Sequence, residues 1–146
     1  MAAGRRSFWR VTATGGTIAH REEPGIWLGK ATALATGDAA DASVKATLEL
    51  PGPVAKGEEL LVAFAARTVA SSNPDGKAVV EVTMDSAATG EPLSGTRIAR
   101  GPNWQLVRYI ARPEVDAQAG QLAIGLTVAG AGQAVDIGPV YMIRPQ

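Results

Sequence analysis

The chain contains no cysteine. That excludes a disulfide framework, a thiol nucleophile and a cysteine-ligated zinc site. A single histidine, His20, excludes any site built on several imidazoles. Aromatic residues are only 5% of the 146 residues, so few flat side chains are available for a core or for stacking on a ligand. Net charge is also missing, because 14 Lys and Arg balance 14 Asp and Glu. This excludes the strongly basic surface of an ordinary nucleic-acid binder. No apolar run approaches the ~18 residues of a membrane-spanning helix, so neither nucleic acid nor a membrane is an expected partner. Arg5 and Arg6 are not followed by the apolar stretch that a secretory signal requires.

Catalytic signatures are missing as well. The chain has no G-x-S-x-G, H-E-x-x-H, P-loop or G-x-G-x-x-G motif. Its carboxylates are scattered singly, as Asp38, Asp41, Glu49, Glu81 and Asp85 show. The expectation is a protein that binds and does not catalyse.

What the chain does have is period-two patterning punctuated by 17 Gly and 9 Pro. In Ser43–Leu50 every second residue is apolar, the pattern of a half-buried strand. Glu59 to Thr68 is apolar on both faces and reads as a central strand. Lys77 to Asp85 places Ala78, Val80, Val82 and Met84 inward, and Gln121 to Val128 does the same with Leu122, Ile124, Leu126 and Val128. Asn103 to Arg112 is a strand, as is Ala134 to Ile143, which Gly138-Pro139 interrupts as a bulge or edge would. Short strands are expected at Phe8–Ala13, Thr17–His20 and Ala31–Thr36, with loops at Arg21–Lys30, Ser71–Gly76 and Ala87–Ser94. With 46% hydrophobic residues, the chain is long enough to bury about two-thirds of its unfolded surface. The fold class is therefore all-β, an antiparallel β-sandwich. One domain over residues 1–146 is expected, with residues 1–7 as an N-terminal arm.

Four stretches carry a resemblance. Phe8-Trp9-Arg10-Val11 before Gly15-Gly16, Pro53 to Arg67, Asn103 to Tyr109, and Gln133 to Val140 follow one another in order. Together they resemble carbohydrate-binding modules of the family 4/9/22 type, within the galactose-binding-like jelly-roll superfamily. The resemblance implies a jelly roll and glycan recognition. It departs from the family at its first strand and at Gly138-Pro139, where an acidic pair is usual. Asp136 is then the one remaining calcium candidate, and no cofactor is expected.

Sugar rings present apolar C–H faces that stack on flat side chains. Trp27, in the loop Glu23–Gly29, is the proposed platform, with His20 and Arg21 as polar neighbours and Tyr109 as a second platform. The alternative for each aromatic is core packing, and Trp9 and Trp104 are read that way. Charge is uneven along the chain. Residues 1–30 carry five bases and two acids, residues 31–92 four bases and nine acids, and residues 93–146 five bases and three acids. Such a dipolar surface suits self-association or an acidic partner, although solvated strand edges explain it equally. Two readings stand. One is a non-catalytic module for a polysaccharide or surface glycan. The other is a virion component, such as a capsid decoration, head-spike or tail-associated protein, docking on itself or on a shell protein. Without a signal peptide in the chain, the first implies an excised extracellular module and the second cytoplasmic assembly.

Overall fold

The computed structural model describes residues 9–22, 29–50 and 53–143. The expected arm, Phe8 and Trp27 lie outside them. The described residues form eleven strands: β1 Trp9–Thr14, β2 Gly16–Glu22, β3 Lys30–Thr36, β4 Ser43–Glu49, β5 Leu60–Ala70, β6 Val79–Ser86, β7 Pro92–Ala99, β8 Gln105–Ala111, β9 Leu122–Ala129, β10 Ala134–Ile137 and β11 Tyr141–Ile143.

They build two antiparallel sheets. The five-stranded sheet has the order β1-β4-β9-β6-β7. In the six-stranded sheet β2, β3, β10 and β5 follow one another, and β8 closes the far edge of β5. β10 and β11 lie in succession along the other edge of β5, pairing with Ala66–Ala70 and Leu61–Ala63. Gly138-Pro139 therefore breaks one long strand into two, because proline has no N–H to give to the ladder. The chain crosses between sheets at 15, 37–42, 71–78, 100–104 and 130–133 at one end, and at 50–59 and 112–121 at the other. This is an all-β antiparallel sandwich, as the alternation predicts, with the jelly-roll arrangement that the resemblance implies.

The alternation becomes the core directly. Val44, Ala46 and Leu48 of β4 meet Phe64 and Val62 of β5 in one buried cluster with Val82, Leu126 and Ile137. All eight inward residues assigned to β6 and β9 are buried. Sheets stacked about 10 Å apart leave room for one layer of interdigitated side chains from each. At the β1–β2 crossover Gly15 has φ 64°, and a Cβ on Gly16 would fall 2.9 Å from the Ser43 carbonyl oxygen. Only glycine lets the chain change sheets there. Thr68 ties the same end together: its hydroxyl donates to the Arg100 carbonyl at 2.6 Å and accepts from the Ala78 amide at 3.0 Å.

Three expectations need correction. Residues 93–99 belong to a strand, β7, that the pattern did not reveal; its residues 92–97 are all exposed and include Pro92 and Gly95. It is an edge strand, where burial imposes no alternation. β5 is central in its sheet, yet only its Leu60-Val62-Phe64-Ala66 face is buried, and the opposite face is half-exposed. In β8 the order is inverted relative to bulk. Val107, Tyr109 and Ala111 face the core while Leu106 and Ile110 face outward. Phe64→Ala is expected to cost about 3–5 kcal/mol, the scale of a large aromatic deletion in a closed core, read as a lower urea midpoint with unchanged m-value.

Candidate functional site

Register fixes which residues share the outer face of the five-stranded sheet. One row runs Thr47, Gly125, Thr83 and Gly95 across β4, β9, β6 and β7. The row toward the crossover-rich end is Lys45, Thr127, Glu81 and Arg97, and the row on the other side is Glu49, Ala123, Asp85 and Pro92. Two glycines flank Thr83 in the middle row, so the strip has a floor of bare backbone with polar side chains standing on either side. Glycine inside a strand marks a place where something approaches the backbone closely. At Gly125 that something is the side chain of Lys45. It crosses above Gly125 and places Nζ 2.7 Å from Asp85 Oδ2. A Cβ at position 125 would fall 2.6 Å from Asp85 Oδ2, 2.7 Å from Lys45 Cε and 2.8 Å from Thr83 Oγ1.

The electrostatics are unusual for the outside of a sheet. Asp85 is only 2% exposed and Thr83 4%. Among the described residues, Asp85 Oδ1 and Thr83 Oγ1 have no hydrogen-bond partner. A buried polar atom left unpaired costs about 1–3 kcal/mol, and each such group in a folded protein calls for an explanation. The strip continues into a cleft of about 550 Å³ at the far end of the sandwich, lined by Glu49, Leu93, Val115 and Gln121 among others. Lys45 lies across Gly125, so Asp85 and Thr83 can accept hydrogen bonds from a ligand's hydroxyls only when that side chain moves aside. The cleft offers apolar contact at Leu93 and Val115, which are 52% and 63% exposed. Alternation assigned Asp85 and Lys45 to a polar strand face; their convergence needed the registers of three strands.

The residues singled out from sequence are placed elsewhere. His20 and Arg21 lie on β2, at the edge of the six-stranded sheet. His20 is exposed, with Nδ1 3.0 Å from Thr32 Oγ1, and Arg21 pairs in register with Ala31. Both lead into residues 23–28, which carry Trp27 and lie outside the described residues. Tyr109 lies on β8, at the opposite edge of that sheet. It is 9% exposed, faces the core, and its hydroxyl shares a 2.7 Å hydrogen bond with Ser94 Oγ. It offers no stacking platform, because its inward register buries the ring. The structure therefore does not bring Tyr109 together with His20.

Asp136, the calcium candidate, is engaged by an arginine. Its Oδ2 accepts from Arg67 Nε and NH2, both at 2.9 Å, and the Arg67 guanidinium lies 4.7 Å from the centre of the Trp104 ring. A carboxylate held by a guanidinium is already neutralised. The described residues contain no cluster of three or more His, Asp or Glu fit to hold a metal ion.

Comparison with known proteins follows the fold. No protein-family model matches the chain, and no curated protein matches it by sequence. Solved structures do match. The chain is similar to part of the arabinose-bound MgGH51 α-L-arabinofuranosidase, with TM-score 0.73 and 17% identity over 99% of this chain and 26% of that one. It is similar to part of bacteriophage CBA120 tailspike protein 4, with TM-score 0.70 and 15% identity over 97% of this chain and 20% of that one. The chain thus spans about a quarter or less of those two proteins. It is similar along nearly the whole length of TmCBM61 solved with β-1,4-galactotriose, with TM-score 0.58 and 17% identity over 97% of this chain and 92% of that one. The fold is that of jelly-roll carbohydrate-binding modules. Modules of families 4, 11 and 22 are among the matches. They include two of the families that the sequence resembles. At these identities the likeness is one of fold.

Gly125→Val is expected to push Lys45 off Asp85 and to lower the melting temperature. Lys45→Met is expected to destabilise by about 3 kcal/mol, the lower end of the range for removing one partner of a buried ion pair. Both are read by thermal and urea unfolding.

Proposed function

We propose that this chain is a non-catalytic module that binds a polysaccharide, with the strip above Gly125 as its hydroxyl-binding face. The observation that carries the reading is the unpaired, buried oxygen on each of Asp85 and Thr83 beside a glycine floor. A glycan is a dense array of hydroxyl donors, and a hydroxyl donating to either atom removes the cost of leaving it unpaired. Lys45 covers this spot and pairs with Asp85, so a sugar must displace its side chain, after which a hydroxyl meets both a donor and an acceptor. The whole-length likeness to TmCBM61, which was solved with a galactotriose, supports the same ligand class. Trp27, which lies in sequence between β2 and β3 and outside the described residues, remains the proposed aromatic contact, with His20 and Arg21 as its proposed polar neighbours.

A second reading is favoured by one observation, the match of 97% of this chain to a region of a phage tailspike protein. On that reading the same module belongs to a virion protein and attaches to host-surface glycans. Binding confined to bacterial surface polysaccharides on a glycan array favours it; binding to galactans or xylans favours the first.

Thr83→Val separates function from stability. Removing an unpaired buried hydroxyl while keeping the side-chain shape is expected to leave stability unchanged or raise it by about 1 kcal/mol. Glycan affinity falls by roughly tenfold, the loss of one hydrogen bond to the ligand. Trp27→Ala is expected to lower retention in affinity electrophoresis with no change in melting temperature. If neither variant weakens binding, both placements of the site are wrong. If the parent chain binds no glycan on an array, the functional reading itself is wrong.

A further inference from the structure

Asp85 holds a cation that is not a fixed part of the sheet. The Lys45 side chain is 26% exposed, whereas that of Asp85 is 2% exposed. Lysine carries a strongly hydrated ammonium on a flexible four-carbon stem, so Lys45 can swing outward into water and leave Asp85 where it is. What remains is a carboxylate with almost no access to solvent. Its Oδ1 and the neighbouring Thr83 Oγ1 already lack a hydrogen-bond partner, and its Oδ2 then loses the lysine as well.

That loss decides which chemical group can take the place of Lys45. A neutral sugar hydroxyl offers one donor and no charge. Seating it there breaks a buried ion pair, at a cost of roughly a hundredfold in affinity. A sugar carboxylate is worse, because it meets Asp85 as a like charge. A primary ammonium restores the charge, and its three N–H donors serve both Asp85 oxygens. Thr83 Oγ1 is left for a neighbouring hydroxyl of the same sugar.

The space fits the same group. Gly125 leaves bare backbone, and the methylene that covers it is Lys45 Cε, 2.7 Å from where a Cβ would stand. A ring carbon bearing an amino group can replace Cε and Nζ together, with the carbon over Gly125 and the nitrogen on Asp85. Lys45 is thus the chain's own stand-in for such a ligand. The adjoining cleft has the matching sign. Register continues the row of Asp85 through Ala123 to Glu49. Glu49 and Asp116 both line the cleft, and none of the described residues lining it is Lys, Arg or His. A polymer passing from Asp85 into the cleft therefore meets carboxylates alone, a path that attracts cations and repels anions.

We infer that the polysaccharide bound at this strip carries free amino groups, and that one sugar ammonium replaces Lys45 on Asp85. The inference rests on the polysaccharide reading above and names its sugar class. Titration calorimetry with a glucosamine oligomer and with the same oligomer fully N-acetylated tests it, since acetylation removes the charge and keeps the chain. The acetylated oligomer is expected to bind roughly a hundredfold more weakly. Asp85→Asn is expected to abolish that difference. Lys45→Met removes the competing ammonium and is expected to bind the free-amino oligomer roughly tenfold more tightly than the parent chain does. The free-amino oligomer, and not the acetylated one, is expected to raise the melting temperature of Lys45→Met toward the parent value. Equal binding of the two oligomers, or binding of neutral glycans alone, overturns the inference and leaves the polysaccharide reading standing. A linear polyamine that binds as tightly as the glucosamine oligomer also overturns it, as does discrimination that survives Asp85→Asn. If no glycan of any kind binds, the polysaccharide reading falls with it.

Discussion

The sandwich depends on burial between its two inner faces. Phe64, Leu126, Val82 and Leu48 come from different strands of different sheets, and each is within a few per cent of complete burial. Closed packing of this kind, in which deletion of one side chain leaves a costly void, holds the strands in register. The registers in turn set everything found on the outer faces. Lys45 reaches Asp85 because β4, β9 and β6 are adjacent and aligned at Gly125. Arg67 reaches Asp136 because β10 lies against β5. No outer-face contact here exists independently of the core.

The outer face of the five-stranded sheet carries a cost that the inner faces do not. Asp85 is taken out of water with one cation beside it and one oxygen unpaired, and Thr83 beside it is also unpaired. A well-packed apolar pair of similar volume would often be as stable or more so. Unpaired groups of this sort are exceptions among buried polar atoms, and they fall together on one strip. Thr68 and Gln133, buried elsewhere in the sandwich, are satisfied. Gln133 is held by Ser71, Ser72 and the Ala131 carbonyl, and Thr68 by Arg100 and Ala78.

Strands with one buried face were legible in the amino-acid sequence. β4, β6 and β9 alternate cleanly because one side of each must be apolar, so their inward residues could be named in advance. β7 was not legible, since an edge strand without a buried face has no reason to alternate. The direction of Tyr109 was also hidden. β8 has apolar residues on both faces, and which face turned inward depended on its pairing with β5. The site was the least legible part. Lys45, Thr83, Asp85 and Gly125 are spread over 81 positions of sequence, and nothing local marks them as neighbours. Aromatic side chains drew attention to Trp27 and Tyr109, whereas the structure shows a polar convergence marked by a glycine.

The strand order also constrains how the chain reaches this state. β9 lies between β4 and β6, and β10 lies between β3 and β5. A central strand of each sheet thus comes from the last quarter of the chain, inserted between strands made much earlier. Until residues 122–137 are present, β4 and β6 have no common neighbour, and β3 and β5 have none either. Pairings this distant in sequence close slowly. On the ribosome β3, β4, β5 and β6 would each wait with one edge unpaired, so the sandwich closes only once residues 122–137 have been made.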